Sequence, residues 1–360
     1  MVAERDWGQA VSLLSQAPRV ALACHVEPDG DALGSMLALY HHLRATGCEV
    51  VAAFGVADGG PDQVPAQYAF LPGVQDLVPA DDFPPAPEVL VVLDCAAASR
   101  LGRLEGAARR AGTVVVVDHH ANGTPFGDIR LVDHHGAATA VLVEELIRRS
   151  GGRVDQVVAT CLYTGLVTDT GRFAFSSVTP AVMELGARLL GCRIDHTTIN
   201  QQVWDTHSLG YVKLLGRACD RATFVPEVGL AWTAVYQRDL EELAIAAGEV
   251  DGVVDVLRGV ACADVTLVLR EQPRVPATNG AANPAGGRRA LEPSAQSPGV
   301  PEWKLSLRSR GRVDVGRIAA VLGGGGHAYA AGCVLGATLP EVVDRVVALL
   351  HAAADPALVG

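Results

Sequence analysis

Short apolar runs alternate with longer stretches of helical periodicity through the first half of the chain, and the two patterns predict different elements. Residues 18–24 read as a buried strand, 32–45 as a helix that stops near Gly47, and 50–54 as a second strand. The pattern recurs with strands at 89–93 and 114–117, separated by a helix over 100–111. Strands alternating with helices in this way predict a mostly parallel sheet with helices on both faces. Further helices are expected from Ala138, over 155–168 and from Thr179-Pro180, with a short strand at 173–175. Residues 192–219 read as a polar helical connection, after which strands at 230–236, 264–270 and 303–310 predict a second, smaller α/β domain. The organisation expected is therefore a domain over 1–190, a helical linker over 191–222 and a second domain over 223–360. Residues 272–301 are rich in Pro, Gly, Ala, Asn and Ser and nearly lack large apolar side chains, so they read as a disordered insertion in the second domain.

Composition narrows the possibilities. A chain of 360 residues with a 49% hydrophobic content can bury two cores. No apolar run approaches the roughly 18–20 residues of a membrane span, and the opening residues lack the layout of a secretion signal, so a cytoplasmic protein with no membrane partner is expected. The eight cysteines occur singly, without a Cys-x-x-Cys pair, and read as reduced core residues. A formal charge of −11 argues against binding a long nucleic-acid duplex, which needs a broad basic face, but is compatible with a short anionic substrate if some of the acids hold cations.

Candidate chemistry gathers at the carboxyl ends of the predicted strands, where open α/β sheets build their sites. His25, Asp29 and Asp31 follow the first strand, and an imidazole with two carboxylates in seven residues suits a divalent cation of intermediate hardness. The same Asp29-Gly30-Asp31 turn would also cap a helix. Asp94 ends the strand at 89–93. Asp118, His119 and His120 end the run of four valines, and neighbouring imidazoles on extended backbone point to opposite sides, so one can ligate while the other meets substrate. Asp118 is placed to orient an imidazole. Asp169 stands at a helix end, where a carboxylate is unfavourable for the dipole unless a cation compensates. Asp133-His134-His135 repeats the same three letters but reads as a loop and cap. In the second domain a period of two puts Lys304, Ser306, Arg308 and Arg310 on one strand face, and Gly324-Gly325-Gly326-His327 offers backbone N–H groups to an anion.

Taken in order, His25-Val26-Glu27-Pro28-Asp29-Gly30-Asp31, Asp94, Asp118-His119-His120 with Asn122, Asp169 before Gly171 and Phe173, and Gly324-Gly325-Gly326-His327 resemble the DHH phosphoesterase family, in its nanoRNase and pAp-phosphatase branch. The resemblance implies two manganese ions, one held by His25 and Asp29, the other by Asp31, His119 and Asp169, with Asp94 bridging. It implies that His120 contacts the scissile phosphate or the leaving oxygen, with Asp118 beside it. Arg308, Ser306, the glycines and His327 would hold a terminal phosphate or nucleotide across an interdomain cleft. The activity implied is hydrolysis of short oligoribonucleotides, pAp, or linear and cyclic dinucleotides to mononucleotides. The alternative is a catalytically weak nucleotide-binding or sensory protein of the same fold. Relatives in the family are often dimers, so a homodimer is open.

Overall fold

The computed structural model describes residues 2–58, 60, 62–121, 123–273, 300–326 and 328–354. The chain divides into two compact units between Thr206 and His207. The expected insertion at 272–301 falls almost entirely outside the described residues, as do Asn122 and His327.

In the first unit, β1 (Arg19–Cys24), β2 (Glu49–Phe54), β3 (Val89–Leu93), β4 (Thr113–Asp118) and β5 (Ile129–Val132) form a sheet in the order β2-β1-β3-β4-β5, parallel throughout among the described residues. The sequence Val-Leu-Val-Val-Leu of β3 is buried on both faces, as expected of an inner strand covered by helices above and below. The helices are α1 (Glu4–Gln16), α2 (Gly30–Ala45), α3 (Glu105–Arg110), α4 (Thr139–Arg149), α5 (Gln156–Asp169), α6 (Pro180–Gly191) and α7 (His196–Asn200). Because β1 lies between β2 and β3, the winding direction reverses there, and the crevice at such a switch point opens at the carboxyl ends of the two strands. His25 follows β1 directly, and Asp94 follows β3.

Helix α2 is buried on nearly all sides and packs against α5 at backbone distance. A Cβ added to Gly34 would overlap the Cys161 carbonyl oxygen and come 3.0 Å from the Gly165 amide nitrogen. Gly34→Ala is therefore expected to lower unfolding free energy by about 1–3 kcal/mol, read as an earlier urea midpoint with an unchanged slope. An unchanged midpoint would show that the helices move apart without cost.

Two local expectations are corrected. The helix expected over 100–111 is split into a single tight turn, Ala98–Leu101, and α3, because Gly102 takes a φ of 53° between them. Residues 173–175 are not a strand. Arg172 and Phe173 both adopt left-handed φ, 60° and 61°, and the amides of Ala174 and Phe175 donate to the Thr170 carbonyl, folding the chain back on the end of α5.

In the second unit, α8 (Leu209–Asp220) leads into a mixed sheet of β6 (Thr223–Val225), β7 (Leu230–Val235), β8 (Val265–Glu271), β9 (Glu302–Ser309), β10 (Gly325–Gly326) and β11 (Ala330–Gly336), ordered β10-β11-β9-β8-β7-β6 among the described residues. Only the β7–β8 pair described is parallel. The remaining helices are α9 (Gln237–Leu243), α10 (Val253–Leu257), α11 (Val315–Val321) and α12 (Leu339–Ala354). Trp303, Leu305 and Leu307 of β9 alternate into a core with Ile318, Val342 and Val346 of α11 and α12. Val268 of β8 faces the other side and packs with Leu214, Leu240 and Val254 of α8, α9 and α10. No helix among the described residues is long and apolar enough to cross a membrane.

Candidate metal centre

Asp94 is the centre of the arrangement. Its backbone is in the left-handed region, φ 54°, and its amide donates to the Val117 carbonyl of β4 at 2.9 Å. A non-glycine residue held in that conformation at a strand end is strain of the kind found in functional sites. The carboxylate is buried, with Oδ2 at 3.4 Å from His25 Nε2 and Oδ1 at 3.6 Å from both His119 Nε2 and His120 Nδ1. One carboxylate thus faces imidazoles on two sides.

On the β1 side, His25 Nδ1 lies 2.7 Å from the Val26 carbonyl, which places its proton there and leaves Nε2 as the ligating nitrogen. Asp29 serves in two ways. Its Oδ1 accepts from the Asp31 and Ala32 amides at the start of α2, and its Oδ2 lies 4.0 Å from His25 Nε2. The capping reading of this turn therefore holds through Oδ1, while Oδ2 is left turned toward His25.

On the β4 side, His119 Nδ1 lies 3.1 Å from the Gly136 carbonyl, so its Nε2 faces Asp169 Oδ2 at 3.2 Å and Asp31 Oδ2 at 4.0 Å. Asp118 Oδ1 accepts from the His119 and His120 amides and lies 2.7 Å from His120 Nδ1. Asp31 is fully buried. It accepts the Thr139 and Ala140 amides and the Ser35 hydroxyl. Donor atoms of His25, Asp29 and Asp94 lie within 4.8 Å of one another, as do those of Asp31, His119 and Asp169 and those of Asp94, His119 and His120.

The electrostatics call for cations. With every acid ionised, the five carboxylates (Asp29, Asp31, Asp94, Asp118, Asp169) outnumber three imidazoles and the Arg100 guanidinium, which lies 3.3 Å from His25 Nδ1. Burial and the charge of Asp94 push the Asp31 carboxyl up to about 7. Burial and the charges of Asp31 and Asp94 push Asp169 well above the usual carboxylate range. Burial opposes ionisation of Asp94, yet the hydrogen bond from His25 and the charges of His120 and His119 hold it far below that range. Against the cost of burial, neighbouring carboxylates raise the imidazoles: chiefly Asp94 for His25 and His119, and Asp118 for His120. Protons partly neutralise the site in this form; imidazole and carboxylate donors in these groups fit divalent ions of intermediate hardness equally well.

Residues 19–166 match the N-terminal domain of the DHH family, and residues 254–355 match the DHHA1 domain. The chain is 34% identical to the bifunctional oligoribonuclease and PAP phosphatase NrnA of Thermus thermophilus over 329 residues, 91% of this chain and 87% of that protein. The chain belongs to the DHH phosphoesterase family. It is a hydrolase of phosphate esters, in a family that uses divalent metals. NrnA of Bacillus subtilis is 26% identical over 70% of this chain and 77% of its own. An exopolyphosphatase-related protein from Bacteroides fragilis shares the fold, with a TM-score of 0.80, 24% identity, and coverage of 98% of this chain and 97% of that one.

Several groups in this DHH site escape a reading of motifs. Thr139 lies in no motif, but its hydroxyl donates to Asp94 at 2.9 Å and its amide to Asp31. The signal is a helix start without a cap, since Ala138 has no side-chain acceptor for the first amides of α4 and Asp31 supplies one from α2. Gly165 is needed because a Cβ there would sit 2.7 Å from Asp31 Oδ1. Asp133-His134-His135 is a turn, with Asp133 accepting the His135 amide. In the second unit Ser306 and Arg308 share the half-buried face of β9 with Lys304, but Arg310 lies past the strand and donates to the Arg258 and Ala261 carbonyls. Two of the glycines expected to offer N–H groups to an anion lie in a short strand, β10. Gly325 and Gly326 pair with Gly332 and Ala331, and a Cβ on Gly324 would overlap the Gly332 carbonyl oxygen and one on Gly326 the Ala330 carbonyl oxygen, so close backbone packing demands glycine at 324 and 326, while Gly325 has open space beside it.

Proposed function

We propose that this DHH hydrolase is a manganese-dependent enzyme that cleaves short oligoribonucleotides, pAp, and linear or cyclic dinucleotides to mononucleotides in the cytoplasm. The observation that carries the reading is Asp94, one buried carboxylate turned toward His25 on one side and His119 on the other. His25, Asp29 and Asp94 would hold one ion, and Asp31, Asp94, His119 and Asp169 a second. Two such ions, when bound, supply a water of lowered pKa and neutralise the phosphoryl oxygens. The similarity to NrnA supports short nucleotides as the substrate class.

The protein's own groups then have defined tasks. Asp118 fixes the His120 ring through Nδ1, so the exchangeable proton sits at Nε2. As the P–O bond to water forms and the ester P–O bond breaks, His120 gives that proton to the departing oxygen. Ser306, Arg308, His327 and the backbone of Gly324, Gly325 and Gly326 bind the remaining phosphate or nucleotide. Arg308→Ala is expected to raise KM about tenfold with metal binding unchanged, the loss of one charge-assisted contact. Unchanged KM and kcat would remove this residue from the substrate site.

Chromatographic analysis of products from pAp, pApA, a five-residue RNA and cyclic di-AMP, with Mn2+ and with His119→Ala as control, tests the reading. AMP released by the wild type and lost in the variant is the expected result. No turnover of any of them, with metal bound, would leave the nucleotide-binding or sensory alternative.

A further inference from the structure

A cation stands beside the metal centre without a carboxylate of its own. Arg100 Nη2 lies 3.3 Å from His25 Nδ1, but that nitrogen already donates to the Val26 carbonyl at 2.7 Å, so the guanidinium gains no acceptor there. An arginine beside an acidic centre ordinarily forks onto one of its carboxylates. Arg100 forms an ion pair with none of the described acids, and the residue is exposed. A counter-charge for the acids would sit on one of them; this fork is left open.

The backbone around Arg100 is built to hold it there. The residue lies in the tight turn Ala98–Leu101 after β3, and its carbonyl accepts the Val26 amide, after β1, at 2.8 Å. Three residues on, the Arg103 amide donates to the Val56 carbonyl, after β2, at 2.9 Å. Contact between these segments is at backbone distance. A Cβ on Gly102 would overlap the Val56 carbonyl oxygen, and one on Gly55 would come 2.8 Å from the Leu101 carbonyl oxygen. The turn that interrupts the helix expected over 100–111 is thus pinned across the ends of three strands, and it delivers one guanidinium to the edge of His25.

We infer that Arg100 is a further catalytic residue, whose open fork takes non-bridging oxygens of the scissile phosphoryl group on the His25 side of the centre. This rests on the phosphohydrolase reading above. A guanidinium is always charged, and its planar set of N–H donors matches phosphate oxygens in pairs. As the bond to water forms and the ester bond breaks, charge spreads over those oxygens, and a cation already fixed beside them stabilises it without reorganising. Arg100 keeps its protons throughout. The same charge repels an ion at His25, so the residue favours phosphate at the expense of metal, which gives it a signature no scaffolding role shares.

The test is calorimetric titration of the full chain with Mn2+ alone, then of the Mn2+-loaded chain with inorganic phosphate, for the wild type, Arg100→Ala and Arg100→Lys, with pAp turnover measured beside it. Arg100→Ala is expected to bind phosphate about tenfold more weakly and to lower kcat/KM for pAp about 10²-fold. Its Mn2+ affinity should hold level or tighten, and its melting temperature should not change, because the side chain is exposed and the backbone bonds remain. Arg100→Lys, which keeps the charge but not the fork, should recover part of the phosphate affinity. Weaker Mn2+ binding or an earlier melting transition in Arg100→Ala would assign the residue a structural role and overturn the inference. So would phosphate affinity that ignores the substitution, or a wild type that binds no phosphate. Phosphate binding that depends on Arg100 in a protein that hydrolyses no phosphate ester would instead sink the hydrolase reading and leave the contact standing.

Discussion

Asp94→Asn is expected to lower kcat at least about 10³-fold while leaving the fold intact. Among the described residues, the Asp94 carboxylate is the group that faces both His25 and His119, so its charge is shared by both halves of the site. Loss of several kcal/mol of cation-borne stabilisation corresponds to a factor of that size. The amide replacement suits the backbone. Asparagine tolerates the left-handed φ of 54°, and its carbonyl can still accept the Thr139 hydroxyl. Near-normal turnover would remove Asp94 from the centre, whereas an early melting transition would mean that the carboxylate is mainly structural.

The second large effect concerns stability. In chelator, the protein is expected to lose stability as pH rises from about 4 to beyond 7, the reverse of the usual acid sensitivity. The Asp31 carboxyl is raised from 3.8 in the free side chain to about 7 in the folded chain, so the native state binds more protons across that window. A group shifted upward stabilises fully below its unfolded value, and that contribution is lost as pH climbs through the folded value, by at most about 1.4 kcal/mol per pH unit. Asp169 is shifted the same way, and His25, His119 and His120, also raised, extend the loss to higher pH. Asp94, held low, acts in the opposite sense only below the ordinary carboxylate range. Metal competes with these protons, so the rise in melting temperature on adding Mn2+ should be larger at pH 8 than at pH 5. Thermal unfolding with and without chelator at the two pH values checks this. A metal-free protein that gains stability across the window would contradict the charge balance drawn for the site.

Much of this site is legible in the sequence because the sheet delivers it. Short apolar runs identify β1, β3 and β4, and a parallel strand carries whatever follows it to one edge, so His25, Asp94 and Asp118-His119-His120 come together through topology. What stayed hidden depends on contacts between distant segments. The amides of Thr139 and Ala140 reach Asp31 across more than a hundred residues, and the bareness of Gly34 and Gly165 is explained only by the approach of α2 to α5. Local pattern misled where backbone conformation overrides propensity. Phe173 and Phe175 resemble strand residues, but left-handed backbone at Arg172 and Phe173 turns the chain at the end of α5. Strand alternation likewise gave the face of Lys304, Ser306 and Arg308 but overran at Arg310, where the strand has ended.

Anomalous scattering from crystals of the full chain soaked with Mn2+ tests the central claim most directly. Two ions are expected on either side of Asp94, one within ligand distance of His25 and Asp29, the other within ligand distance of Asp31, His119 and Asp169. A single ion, or ions bound without contact to Asp94, would contradict it.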